Sequence, residues 1–447
     1  MIELSAQAVA EAVGSTDPGG DAGFPVRAVI DSREVGPGDL FFGIAGEHAD
    51  GGSFAEQAIE RGAWGVVVTK EHSTTGANAF VVDDPTAALG ALANRWRHEL
   101  GAKVIGVTGS TGKTSTKDIL AALLGKSLTV VATPANRNTE IGMPLTILSA
   151  PRGTQALVLE MAMRGPDQID QLARIADPDV GCIVNVGPVH LEQLGSVEAV
   201  AAAKAELIAA LGPQSTAVLP ADESLLTEHF RDDIATTTFG PGGDVRLLDE
   251  DAADELRIAT PVGEVLIRPS FKERYLTRNL LAAVACAQAV GAPTGGELNV
   301  QFSALRGEIS EVLGGVTLIN DCYNANPVSM RAALDNLSDA GGRRIAVLGG
   351  MGELGVDSAR FHHEVGQHAA GSGVDFLITV GELGGAYGDG FIGSVEHVAS
   401  PEAAAYVVRR VAEPGDTVLV KGSRSVGLEK VGEILVNASR PAGELSG

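Results

Sequence analysis

Residues 106–118 read GVTGSTGKTSTKD, directly after the apolar AKVI of residues 102–105 and ahead of ILAALL at 119–124. A short apolar run, a glycine turn and a helix-like periodicity predict a strand, a loop and a helix start. Gly109 and Gly112 let the backbone turn so that consecutive amides point inward. Lys113 brings a mobile positive charge, and Thr114 offers a hydroxyl to a magnesium ion. Gly109, Ser110, Thr111, Gly112, Lys113, Thr114 and Ser115 therefore form a candidate triphosphate cradle. The spacing departs from the strict P-loop: the position five before Gly112 is Val107, and the glycine comes two residues later.

The flanking sequence extends this strand–loop–helix unit in both directions. Apolar segments such as QALVLEMA and VGCIVNVG alternate with helical patterns such as GPDQIDQLARIA and SVEAVAAAKAELIAALG, the signature of a mostly parallel, doubly wound α/β sheet. The last third repeats the style in GVTLINDCYN, RRIAVLGG, VDFLITVG and DTVLVKGS. Ahead of the loop, the apolar pieces of FPVRAVIDSREVGPGDLFFGIAG, broken by GPGD, suggest two strands around a turn. At 447 residues the chain exceeds one comfortable core. The economical division is 1–101, 102–308 and 309–447.

Composition narrows the function. A formal net charge of −24 and the lack of a basic stretch argue against a nucleic-acid surface. The three cysteines, Cys182, Cys286 and Cys322, are dispersed, which fits a reducing cytoplasm rather than a disulfide framework. The N-terminus lacks the basic start and long apolar run of a signal peptide, and no window offers a membrane span.

Several polar residues stand at predicted strand ends, where open parallel sheets gather ligands. Glu160 closes LVLE, and His190 lies just past the next strand; with the Thr114 hydroxyl they make a plausible metal site. Lys204 completes the apolar stripe Val197, Val200, Leu207, Leu211 of a helix capped by Ser196. It either snorkels to water or is desolvated and made neutral or modified. Asn136 and Asn138 in TPANRNTEIG suit a sugar or peptide, or simply make turns. Asp321 offers a carboxylate to ribose hydroxyls, and Asn324 and Asn326 form a polar loop before a helix beginning near Pro327.

These clusters do not stand alone. GSTGKTSTKD, EMAMRG, HLEQLGS followed by AKAE, DCYNANPVSMRAAL, LGGMGELG and VLVKGSRSVGLEKV, with DSREVGPGDLFFGIAGEHADGGSF near the front, resemble the Mur ligases in kind and in order. That resemblance implies three domains: a small N-terminal α/β domain gripping UDP, a central P-loop ATPase domain, and a C-terminal Rossmann-like domain that closes over the nucleotide. It implies an ATP-dependent ligase acting on UDP-N-acetylmuramoyl-tripeptide and D-alanyl-D-alanine in peptidoglycan precursor synthesis, as a cytoplasmic monomer. It assigns Lys113, His190 and Lys204 to catalysis, and two Mg2+ ions to Thr114, Glu160, His190 and a carbamylated Lys204. Asn279 then meets adenine, Arg306 phosphate and Asp321 ribose. Ser32 and Arg33 bind UDP, Asn136 and Asn138 face the muramoyl peptide, and Asn324 and Asn326 meet the dipeptide. Lys421 and Arg424 touch phosphate or cap the final strand turn. Three places depart from the family pattern: Tyr275 and Leu276 replace a His and an Asn, Gly350 an Asp, and Pro220 an Asn.

Overall fold

The computed structural model describes residues 2–16, 20, 23–47, 49–74, 78–250 and 255–438. The loop read first lies where the sequence put it, between the strand Lys103–Thr108 and the helix Lys113–Leu124. That strand is buried along nearly its whole length and is central in a six-stranded, all-parallel sheet. The order is Ala235–Phe239, Thr216–Pro220, Val180–Ile183, Lys103–Thr108, Ala156–Glu160, Val130–Ala132. The chain leaves the central strand toward one edge, returns, and continues on the other side. The loop after it therefore opens at a topological switch point, the crevice where such sheets bind ligands.

A four-stranded parallel sheet precedes this one: Ala28–Val29, Leu40–Phe42, Gly65–Val68 and Asn78–Val81. The two pieces around GPGD are thus strands, but they pair in parallel rather than as a hairpin. The helix Pro85–Leu100, capped by the Asp84 carboxylate on the Thr86 and Ala87 amides, packs this sheet onto the central one. Trp96, fully buried, donates its indole N–H to the Ala150 carbonyl at 3.0 Å. One apolar core runs through both units, from Ile2, Leu40 and Phe80 through Leu89 and Trp96 to Leu157 and Leu207.

The third sheet is a separate six-stranded body: Glu308–Val312, Val316–Asn320, Thr417–Lys421, Arg344–Gly349, Phe376–Val380, Ser394–Val398. All pairs are parallel except the first, where Glu308–Val312 runs antiparallel at the edge. Its cores contain no residue before Leu305. Two of its strands, Glu308–Val312 and Ser394–Val398, lie outside the four segments read from the sequence.

A fourth sheet corrects the simple alternation expected for the middle of the chain. Arg246–Glu250, Leu256–Thr260 and Gly263–Pro269 form an antiparallel meander, extended in parallel by Gly296–Leu298. The inward residues Leu256, Ile258 and Ile267 pack beneath the helix Tyr275–Ala289. Among the described residues no helix is long and apolar enough to cross a membrane.

Candidate active site

Gly112 sits at the N-cap of the helix Lys113–Leu124 with φ 77° and no side chain capping the first turn. The first-turn amides and the helix dipole therefore face the crevice, a ready anion site. A Cβ at this position would lie 2.6 Å from Asn279 Oδ1, so the buried Asn279 closes one side of the cradle and excludes any larger residue. Lys113 Nζ is folded back onto the Gly109 carbonyl at 2.7 Å. Removal from water lowers its pKa, Glu160 opposes that, and Arg306 adds to it. Glu160 and Arg306 are thus both within electrostatic reach of the lysine.

The loop is braced from the next strand. Asn185 Oδ1 accepts from the Thr111 amide at 2.9 Å while its Nδ2 donates to the Thr111 carbonyl at 3.1 Å. Ser110 Oγ donates to the Gly187 carbonyl and accepts from the Gly187 amide. The side chain of Ser110 and the amide of Thr111 are therefore committed to holding the loop's shape. Sequence reading missed Asn185; its place one residue beyond VGCIV, at a strand end facing the loop, was the available signal. Ser115 lies buried in the first turn of the helix.

Thr114 and Glu160 meet as expected. The Thr114 hydroxyl donates to Glu160 Oε2 at 2.7 Å, and both residues are only 2 % exposed. Asn138 Nδ2 holds the other carboxylate oxygen at 2.8 Å, and the Glu160 amide donates to Thr133 Oγ1. A buried hydroxyl beside an oriented carboxylate is a hard-oxygen donor pair suited to Mg2+. Asn138 thus orients the Glu160 carboxylate, whereas Asn136 is exposed on the same turn.

Lys204 does not snorkel. It is 2 % exposed, and burial, then the positive charge of Lys113, push its pKa well down, with no carboxylate to offset them. His190 adopts φ 53°, and its Nδ1 contacts Glu353 Oε2 from the third sheet's body. Burial lowers the imidazole pKa; Glu353 raises it, and Lys113 and Lys204 lower it further. Lys113, Glu160, His190, Lys204 and Arg306 are thereby one electrostatic neighbourhood. Among the described residues no three His, Cys, Asp or Glu side chains converge on a point. A two-ion site here needs Thr114 and Lys204 as well.

The third body closes the crevice from above. Arg306 stacks on Tyr323, its guanidinium carbon 4.2 Å from the ring centre. Asp321 pairs with the buried Lys421, whose Nζ lies 2.6 Å from Oδ2, so Lys421 braces that carboxylate. Arg424 instead pairs with Glu429 at 3.5 Å. Asn324 Oδ1 accepts from the Ala325 amide, shaping its own turn. Asn326 caps the helix Pro327–Ser338 in a reciprocal box with Ser329, and its Nδ2 reaches the Ser110 carbonyl at 3.3 Å. Asn326 thus acts as a cap and as a bridge to the loop. Ser32 and Arg33 have local partners, Gln57 and Asp31.

One departure from the family pattern acquires a steric reason. A Cβ at Gly350 would stand 2.7 Å from Leu383 Cβ, leaving no room for an aspartate. Pro220 ends a buried strand, and the following Asp222 is fixed by both Arg278 amino groups at 2.7 and 2.9 Å. At Tyr275, burial, then the Asp321 charge, raise the phenol pKa.

Known proteins share this layout. Three family models match in succession: "Mur ligase family, catalytic domain" over residues 28–97, "Mur ligase middle domain" over 107–287, and "Mur ligase, glutamate ligase domain" over 306–424. A Bacillus subtilis (strain 168) protein named UDP-N-acetylmuramoyl-tripeptide--D-alanyl-D-alanine ligase is 34 % identical, covering 98 % of this chain and 99 % of its own. The chain belongs to the Mur ligase family. Two crystal structures show the same three-body build around this Mur ligase's crevice. MurF from Acinetobacter baumannii matches with TM-score 0.88 at 28 % identity, covering 97 % of this chain and 99 % of that one. MurF ligase from Thermotoga maritima in complex with ADP matches with TM-score 0.82 at 30 % identity, covering 92 % and 97 %.

Proposed function

We propose that this Mur ligase joins D-alanyl-D-alanine to UDP-N-acetylmuramoyl-tripeptide at the expense of ATP, releasing ADP and phosphate, in the cytoplasmic synthesis of peptidoglycan precursors. Cell-wall growth, shape and division depend on that product. The observation that carries the reading is the buried Thr114–Glu160 pair at the mouth of an uncapped helix, with Lys113, His190 and Lys204 in one electrostatic field. The relatives' names supply the substrates.

The chemistry has two steps. A carboxylate oxygen ending the tripeptide attacks the γ-phosphorus of ATP, the bond from that phosphorus to the β-bridging oxygen breaks, and ADP leaves. The dipeptide amine then attacks the acyl carbon, phosphate departs with the bonding pair, and the nitrogen sheds a proton. An ionised carboxylate and a triphosphate repel each other, so the first step needs concentrated positive charge. Lys113 and Arg306 provide it from the protein, and the first-turn amides of the helix Lys113–Leu124 orient the phosphates. Thr114 and Glu160 would hold one Mg2+; His190 and a carbamylated Lys204 the second. Bound Mg2+ supplies charge neutralisation at the transferring phosphoryl group. A neutral buried amine is the form that takes up CO2, and the depressed Lys204 pKa favours it.

Asn279 and Asp321 would address adenine and ribose, Ser32 and Arg33 the UDP end, Asn136 and Asn138 the muramoyl peptide, and Asn324 and Asn326 the dipeptide. The unit 1–101 would grip UDP, 102–308 would bind ATP, and 309–447 would close over the nucleotide and meet the dipeptide, in a monomer. ADP release should require both UDP-N-acetylmuramoyl-tripeptide and D-alanyl-D-alanine. Equal release with either one omitted, or with folate plus glutamate, would reject the proposal.

A further inference from the structure

The segment between the strand Arg344–Gly349 and the helix Ser358–Gly371 is where the third body touches the His190 loop. The Gly352 amide donates to Ser423 Oγ at 2.8 Å, tying the segment to the turn after the last strand. The next residue, Glu353, takes φ 60°, a conformation side-chain-bearing residues seldom adopt. Opposite it, His190 has φ 53°. The Glu353 carbonyl lies 3.5 Å from the Glu192 amide, Oε1 lies 3.8 Å from Arg164 Nε, and Oε2 contacts His190 Nδ1. Two backbones in an uncommon conformation thus aim a carboxylate from one body at one particular ring nitrogen of the other.

A carboxylate can only accept, so in a neutral imidazole the proton must sit on Nδ1 and the lone pair on Nε2. This is the arrangement in which a second carboxylate orients and strengthens a histidine metal ligand. We propose that Glu353 is a positioning residue, delivered by the third body, that fixes the His190 tautomer so that the second divalent ion is held tightly only when the bodies meet. The inference rests on the reading of His190 as a ligand. A clasp without electronic consequence is the competing explanation, and Arg164 separates the two, because it pairs with the Glu353 oxygen that His190 does not use.

The test is Mn2+ binding to the full chain with a non-hydrolysable ATP analogue, followed by electron paramagnetic resonance. Wild type should bind two ions. Glu353→Ala should weaken the second about 10- to 100-fold and leave the first within about twofold. Glu353→Gln, which preserves shape and an acceptor oxygen while removing charge, should fall between and guards against a misfolded alanine variant. Arg164→Ala should leave both ions within about threefold. Unchanged second-ion affinity in either folded Glu353 variant overturns the proposal, and so does a loss in Arg164→Ala equal to that in Glu353→Ala. A wild type that binds a single ion overturns instead the assignment of His190, and this inference with it.

Discussion

Replacing Lys204 by methionine should make the protein more stable and inactive at once. The lysine lies on the inner face of the helix Val197–Ala209, 2 % exposed, with the charge of Lys113 against it and no carboxylate in return. An amine removed from water without compensation costs roughly 1–3 kcal/mol, and methionine fills a similar volume without that cost. For a cooperative unit of about 150–250 residues each kcal/mol moves Tm by roughly 2–4 °C, so Lys204→Met should melt some 2–12 °C higher in bicarbonate-free buffer. The pH dependence gives an independent sign. Because the folded pKa lies below the ordinary lysine value, the unfolded chain takes up the extra proton first as pH falls from above about 10.4. Wild-type stability should therefore decline from that pH down to the folded pKa and then level off, relative to Lys204→Met. Calorimetry across alkaline pH measures both effects. ADP release should be abolished in Lys204→Met and Lys204→Ala, with part of the Lys204→Ala loss recovered by short-chain carboxylic acids. A lower Tm in Lys204→Met, or retained turnover in Lys204→Ala, refutes the reasoning.

Three further outcomes follow from the geometry. Gly112→Ala places a methyl 2.6 Å from Asn279 Oδ1 in a left-handed conformation that disfavours side chains by roughly 1–2 kcal/mol, and should weaken ATP binding at least about tenfold by calorimetric titration. Gly350→Asp restores the family's usual residue but meets Leu383 Cβ at 2.7 Å; Tm should fall, and Leu383→Ala in the same chain should return part of the loss. Asp118→Ala strips the buried Lys117 of its ion-pair partner at 2.6 Å, leaving it the Thr133 carbonyl and the Ser303 hydroxyl, and should cost ~3 kcal/mol, while the double change to Lys117→Met and Asp118→Leu should cost far less.

The loop and its strand were legible because their signal is local: an apolar run, glycines, a lysine and a hydroxyl within thirteen residues. Lys204 was legible for the opposite reason, as a charge interrupting the apolar stripe of a helix that Ser196 opens. The meander from Arg246 to Pro269 escaped because its strands alternate inward residues with Arg257, Glu264 and Arg268, which reads as loop beside the continuous apolar runs of the parallel sheets. The parallel pairing of the strands around GPGD escaped because a turn signal fixes a reversal only when the strands are neighbours in a hairpin. Asn326 carries a polar side chain at a strand–helix junction, and sequence alone does not distinguish a ligand from a cap. Glu353 was hidden inside LGGMGELG, since its meaning depends on a histidine 163 positions earlier.

The apolar continuity from Ile2 to Leu207 has an evolutionary corollary. Recombination between the first two units would cut through the packing around Trp96, so a change in one calls for a matching change in the other. The third body meets the crevice through polar contacts such as Asn326 with Ser110 and Glu353 with His190, and keeps its own core. A lineage seeking a new amine acceptor could exchange that body at this seam, provided the replacement again supplied groups at the places of Arg306, Asp321 and Glu353. Diversification by shuffling is thus open at one seam of this chain and closed at the other.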